Sequence, residues 1–212
     1  MAELIDVYTK QGEHIGVADR NVAHRFGLYH KTVHCWLIKD NKKLIFQKRS
    51  SRLAVNPSKL FSTASGHINA GETVAQGFTR ETFEETGIHV ENPVEVFNAP
   101  YGYDTVLANG REHHDYITWY LFAAKCDRPL SDYTPQDEEL DGFVELDISD
   151  LYKLADHSID SMQANAILRQ PDGTFAVQQI EVREHDFLLL GDETLANKYA
   201  LWLRQVQEKL DN

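Results

Sequence analysis

The run from Gly66 to Ile88, GHINAGETVAQGFTRETFEETGI, constrains this chain more than any other segment. Thr73 followed by Gln76 is a capping-box pattern and predicts a helix that starts at Thr73. Gly87 suits the left-handed stop just past a helix end. Between these signals lie Glu81, Glu84 and Glu85, whose spacings of three and four place them on one helix face. Three like charges on adjacent turns destabilise a bare helix by roughly a few tenths of a kcal/mol per pair. Thr79 and Phe83 project from the opposite side and are expected to pack.

Hard cations favour such a face. Mg²⁺ takes carboxylate oxygens, waters and phosphate oxygens in octahedral geometry. Mn²⁺ accepts the same oxygen ligands, so carboxylates alone do not separate the two. A divalent ion here would neutralise a diphosphate and make a water a better nucleophile. A neighbouring glutamate could take the proton. The glycine-punctuated loop Gly66 to Gly71 lets backbone approach metal or phosphate closely. Glu72 and Arg80 are expected to pair and hold that loop against the helix.

The rest of the chain fits one domain with appendages. At 212 residues it is long enough for a good core. Met1 to Leu28 reads as two short strands around a Gln11-Gly12 turn. Thr32 to Ile38 and Leu44 to Lys48 form a strand pair turned at Asp40-Asn41. Ser50 to Ser65 lacks a period and reads as loop. Ile117 to Ala124 is a central strand by its aromatic and branched content, and Phe143 to Leu146 another. Ser149 to Asp156 and Asp160 to Arg169 read as helices, and Phe175 to Val182 as a strand. Asp192 is expected to cap a last helix carrying Leu195, Tyr199, Trp202, Val206 and Leu210 on one stripe. That stripe needs cover, from its own domain or from a second copy. The expected division is an N-terminal extension over 1–28, a central domain over 29–148, and a mainly helical C-terminal extension over 149–212.

Charge excludes one class of partner. The net charge of −12 argues against nucleic-acid polymers, which are bound by basic surfaces. A small phosphorylated ligand is still compatible, because a cation reverses the local sign of an acidic pocket. No apolar run approaches the ~20 residues of a membrane helix. The N-terminus lacks the basic start and apolar core of a secretory signal. Cys35 and Cys126 lie in strand-like runs without a CxxC spacing, which fits reduced thiols in a cytoplasmic protein.

The full pattern is Gly66, five residues, Glu72, seven residues, then Arg80-Glu81-x-x-Glu84-Glu85-x-Gly87-Ile88. It resembles the Nudix box. It departs at Thr82, where the family has an aliphatic residue; Phe83 is expected to supply the missing contact. The resemblance implies an α+β fold, the Nudix α/β/α sandwich with a mixed sheet and the box as loop–helix–loop. It implies hydrolysis of a nucleoside diphosphate linked to a moiety X, or of a related small-molecule diphosphate, with Mg²⁺ or Mn²⁺. Glu81, Glu84 and Glu85 would hold the metal, and Glu84, Glu85 and Arg80 would serve catalysis. Glu139, of the pair Glu138-Glu139, matches an acidic residue that many of these enzymes place outside the box as general base.

A looser similarity runs from His24 to Glu72, through HRFGLYHKTVHCWLI and LIFQKRSSRLAVNPSKLFSTASGHINAGE. These segments look like the branch that includes type I isopentenyl diphosphate isomerase. There, histidines and glutamates bind a metal, and a cysteine before a Gly-His pair is catalytic. His24, His30 and His67 fall at or near the histidine positions, and Ser65 stands at the cysteine position. The missing cysteine and the intact glutamates favour hydrolase over isomerase. A nucleotide-binding sensor without catalysis is the third reading. The similarity suggests phosphate contacts for Arg49 and its neighbour Lys48, and the close backbone approach of the glycine loop suggests one for Gly66. The cluster Glu112-His113-His114-Asp115 lies near the branch's acidic ligands and is expected in a loop before the Ile117 strand. Family habit and the amphipathic last helix point to a homodimer. Tyr101 and Tyr103 are expected either to stack on a base or to pack.

Overall fold

The computed structural model describes residues 3–107, 109–189 and 193–210. Its centre is strand β3 (His30–Lys39), whose side chains alternate between two apolar surfaces. Cys35 and Leu37 face one cluster with Phe78 and Ile88, while Trp36 and Ile38 face another with Leu151, Tyr199 and Leu203. The next strand, β4 (Lys43–Arg49), repeats the pattern with Ile45 on the first side and Leu44 and Phe46 on the second. The turn between them carries Asp40 and Asn41 at φ of 52° and 53°, the left-handed geometry that short polar residues tolerate.

A sheet buried on both faces needs two helical covers. Helix α2 (Val74–Thr86) covers the first face. Helices α3 (Ile148–Ala155) and α4 (Leu201–Leu210) cover the second. The sheet is extended by β7 (Val94–Val106), β8 (Glu112–Lys125), β9 (Leu140–Asp147), β10 (Met162–Arg169) and β11 (Phe175–Val182). Its order is β11-β10-β9-β4-β3-β8-β7, with β5 (Leu60–Phe61) on β4 and β6 (Ala64–His67) on β3. Pairing of β3 with β8 is parallel and the other pairings are antiparallel, so the sheet is mixed. This is the sandwich that the sequence resemblance implies. A separate hairpin of β1 (Leu4–Tyr8) and β2 (His14–Asp19) precedes helix α1 (Arg20–Phe26). No helix among the described residues is long and apolar enough to cross a membrane.

Several expectations need correction. The segment Asp160 to Arg169, read as helix, is strand β10 from Met162. It runs Met-Gln-Ala-Asn-Ala-Ile-Leu-Arg, rich in residues that favour helix, but both ladder neighbours β9 and β11 are in place and override propensity. Within the C-terminal extension, beside helices α3 and α4, two strands continue the central sheet. The loop Ser50 to Ser65 contains the short strand β5 and the start of β6. Thr79 and Phe83 are exposed; α2 packs instead through Gly77, Phe78, Thr82 and Thr86. Thr82 buries its small side chain where the family has an aliphatic one, and Phe83 stacks on His89 at the surface instead of supplying that contact.

The apolar stripe of the tail finds its cover within the chain. Leu195, Tyr199, Leu203 and Val206 are buried against the second face of the sheet. Tyr199 stacks on Trp36 at 6.0 Å and meets Phe46 and Phe187 edge-on or tilted. Residues Ala196–Ala200 form a wide turn with an Ala200 N–H bonded to the Leu195 carbonyl, before α4 proper. The expected cap at Asp192 lies outside the described residues. Cys35 is buried and Cys126 half-buried, and both are free thiols.

Candidate active site

Helix α2 begins and ends where its sequence signals stand. The Thr73 hydroxyl accepts the Gln76 N–H and the Gln76 side chain accepts the Thr73 N–H, completing the capping box. Gly87 takes φ of 71° at the other end. Between them Arg80 reaches back to the preceding loop. Its Nε and Nη2 donate to the two oxygens of Glu72 at 2.8 and 2.9 Å, a bidentate pair. Nη2 also donates to the His67 carbonyl at 2.9 Å, and Glu72 accepts the Asn69 N–H. The expected Glu72–Arg80 clamp is present, and it fixes loop to helix.

The same arginine turns its remaining nitrogen to the acidic face. Nη1 donates to Glu81 at 2.7 Å and to Glu84 at 3.1 Å. Gly66 lies against this carboxyl group: a Cβ built there would stand 2.2 Å from the Glu81 carboxyl carbon. Glu85 is buried under the wall and accepts the Ser65 N–H at 2.8 Å and the Gln47 amide at 3.4 Å. Burial pushes the Glu85 carboxyl well above the usual range, helped by the Glu81 charge. Burial likewise raises Glu81 to about 7, against the pull of Arg80. Two carboxyls whose charged forms are penalised by burial, beside Glu84, offer hard oxygen donors that fit a divalent cation.

These groups face a cavity of about 430 Å³. Glu81, Glu84, Arg80, Gly66, Arg49 and Glu139 all line it, from four separate parts of the chain. Arg49 is anchored by donating to the carbonyls of Val55 and Asn56, both at 3.1 Å. Glu139 stands in the turn before β9, close enough to raise both Glu81 and Glu85. Lys48 is not among the lining residues. Strand alternation turns it away from Gln47 and Arg49, which point to the site.

A second constellation adjoins the first. One ring nitrogen from each of His24, His30 and His67 lies within 4.8 Å of the others. They come from α1, the start of β3 and the end of β6. Nδ1 of His30 donates to the Leu28 carbonyl at 2.9 Å and Nδ1 of His24 to the His114 carbonyl at 3.2 Å. Carbonyls only accept, so each ring keeps its Nε2 lone pair for the interior. His67 presents Nε2 to the His24 Nε2 at 3.2 Å and turns Nδ1 toward Glu3 at 3.5 Å. Asp115 Oδ1 lies 3.7 Å from both His24 Nδ1 and His30 Nε2. Nε2 of His30 and Oδ1 of Asp115 are buried without a hydrogen-bond partner. Burial holds His24 down at about 3 and His67 well below its usual value, so the rings are neutral. Neutral imidazoles with outer oxygen partners and an orphaned buried carboxylate oxygen fit a cation. The mixed nitrogen and oxygen set suits Mn²⁺, Fe²⁺ or Zn²⁺ better than Mg²⁺.

The histidine cluster of residues 112–115 is placed differently from expectation. It lies inside β8, not in a loop. Alternation sends His113 onto His24, stacked at 4.4 Å, and His114 to Asp104 at 2.6 Å. Tyr101 and Tyr103 project from β7 into the cavity. Sequence reasoning missed Gln47 and Glu3. Both act through contacts distant in sequence, and no local signal marks them.

Comparison with known proteins gives the family. The family model for the NUDIX domain matches residues 28–166. An uncharacterised Nudix hydrolase of Clostridium acetobutylicum is 30% identical over 174 residues, covering 81% of this chain and 82% of that protein. Isopentenyl-diphosphate Delta-isomerase of Klebsiella pneumoniae is 26% identical, over 69% of this chain and 77% of its own. A solved structure from Deinococcus radiodurans shares the fold with a TM-score of 0.54, at 20% identity, over 74% of this chain and 89% of that one. With the box intact on α2 and the domain matched across most of the sheet, this chain belongs to the Nudix hydrolases, the pyrophosphohydrolases of diphosphate compounds.

Proposed function

We propose that the chain cleaves the diphosphate linkage of a small molecule by attack of water on phosphorus, at the carboxylates of α2. The observation that carries this reading is the meeting of Glu81 and Glu84 with Arg80 and Gly66 at one cavity, with Glu85 buried behind its wall on the Ser65 N–H. Mg²⁺ or Mn²⁺ held by Glu81, Glu84 and Glu85 would neutralise the diphosphate and acidify the attacking water. Glu139, which also lines the cavity, would take the proton from the attacking water. Arg49 offers a guanidinium to the phosphate oxygens and is held in place by the 55–56 carbonyls. Arg80 positions Glu81 and Glu84 through direct hydrogen bonds.

The histidines His24, His30 and His67 with Asp115 form a second cation site beside the first. The isomerase chemistry of the Klebsiella relative is the second reading, favoured by that constellation. It needs an acid where Ser65 stands, and Ser65 offers only a hydroxyl.

The test is product release from a panel of diphosphate compounds with Mg²⁺, with Mn²⁺ and with chelator. Metal-dependent release of phosphate or nucleotide is expected. Glu84→Gln and Glu85→Gln should each cut turnover by orders of magnitude with the fold kept by circular dichroism. Near-full activity in both variants would sink the reading. An allylic isomer appearing by NMR without cleavage would move the isomerase reading forward.

A further inference from the structure

The cavity wall continues beyond the box into a segment outside the matched domain. There Glu193, Lys198 and Trp202 of the tail meet Phe61, Tyr101 and Trp119 of the sheet. Most of this wall is aromatic, which suits a flat or apolar group. Lys198 breaks that character. It is 5% exposed, and its ammonium lies 5.6 Å from the Trp202 ring centroid, 5.7 Å from Tyr199 and 5.9 Å from Phe61. Its Nζ donates to Glu193 Oε2 at 2.6 Å. Stability does not account for such a pair, since buried ion pairs are commonly replaced by hydrocarbon at no loss. Its place in the wall of the ligand cavity does.

We propose that Glu193 and Lys198 form a recognition subsite for a group carried on one end of the diphosphate, called X from here on, selecting a neutral flat ring that carries a hydrogen-bond donor and acceptor side by side. The pair presents N–H donors next to a carboxylate acceptor, and a nucleobase-like or ring-amide edge matches both at once. The aromatic wall supplies faces for that ring. A hydrocarbon X would strip solvent from the pair and return no hydrogen bond. An anionic X meets the Glu193 carboxylate, and a cationic X meets the Lys198 ammonium. Opposite halves of the ligand would then be read by different parts of the chain: the diphosphate by the box, X by the tail. The assignment rests on the diphosphate reading only for the other end of the same ligand.

Calorimetric binding of ADP and of geranyl diphosphate tests this, with Ca²⁺ present so that binding is read apart from turnover. Both ligands end in the same diphosphate; one carries a ring with donor and acceptor, the other a hydrocarbon. Wild type is expected to bind ADP at least tenfold tighter. Lys198→Met should weaken ADP at least tenfold and leave geranyl diphosphate unchanged or tighter. The double variant Lys198→Met with Glu193→Leu keeps the volume apolar and should reverse the preference, its fold checked by thermal melting. Equal or tighter binding of geranyl diphosphate by wild type overturns the subsite, as does ADP affinity unmoved in both variants or binding of neither ligand. Hydrolysis is read separately with Mg²⁺. Selective ADP binding without cleavage of any diphosphate compound overturns the hydrolase reading and upholds the subsite.

Discussion

The Glu81 carboxyl occupies the space in which a Cβ on Gly66 would stand, with its carbon and both oxygens 2.2 to 2.4 Å from that point. Glycine is required here for close approach, because Gly66 sits in strand β6 without an unusual φ. The clash of Gly66→Ala is with the far end of a flexible side chain, so the backbone keeps its place and Glu81 swings away. Displacing a site carboxylate by about 1 Å costs on the order of 10²-fold in rate. Turnover is therefore expected to fall about 10²-fold with the melting temperature nearly unchanged. A variant with wild-type kcat would show that the Glu81 position is immaterial.

The extent to which the site could be read from sequence follows from how local each contact is. Helix α2, its capping box, its Gly87 stop and the Glu72–Arg80 clamp span fewer than two dozen residues, and every signal was local. Strand β10 was misread because Met, Gln, Ala and Leu suit a helix, and only the ladders to β9 and β11 decide otherwise. Its burial does alternate over Met162 to Ala166, but alanines at the inward positions hide the period. The aliphatic position of the box was misjudged for a similar reason: which of Thr82 and Phe83 is inside depends on the sheet beneath. The second constellation needed α1, β3, β6 and β8 to converge, and the sequence places its histidines as much as 43 residues apart. Only resemblance to another branch brought them together beforehand.

The three-histidine constellation should hold a cation independently of the box. Its ligating nitrogens already point inward, with Nδ1 of His24 and His30 tied to carbonyls. Dialysed protein given Mn²⁺ or Zn²⁺ is expected to retain about one equivalent that survives in Glu84→Gln and is lost in His67→Gln. His67 is the preferred target because it is less deeply buried than His30, whose removal would open the core. Metal content read by atomic absorption decides the matter. Retention unchanged in His67→Gln, or lost in Glu84→Gln alone, would show that the histidines are not the ligands.

Far from the site, Glu145 on β9 makes a different test of the fold. It is 6% exposed and accepts from Lys39 at 2.9 Å and Lys43 at 2.5 Å. Burial alone would raise its carboxyl, but hydrogen bonds from Lys43 and Lys39 outweigh that and hold it below the usual value. A carboxyl whose folded pKa lies below its unfolded one stabilises the protein above the unfolded value, about 4.3 for glutamate. That contribution is lost as pH falls through the folded pKa. Lys39 moves in the matching direction, held above its usual value by the Glu145 hydrogen bond. Glu145→Gln keeps the shape of the side chain and removes its charge. The variant is expected to melt below wild type at pH 7, with the difference shrinking once the pH drops below about 4. Thermal melts of both proteins across pH 3 to 8 read it directly. A gap that stays constant across that range would mean the lysines act on Glu145 through packing and not through charge.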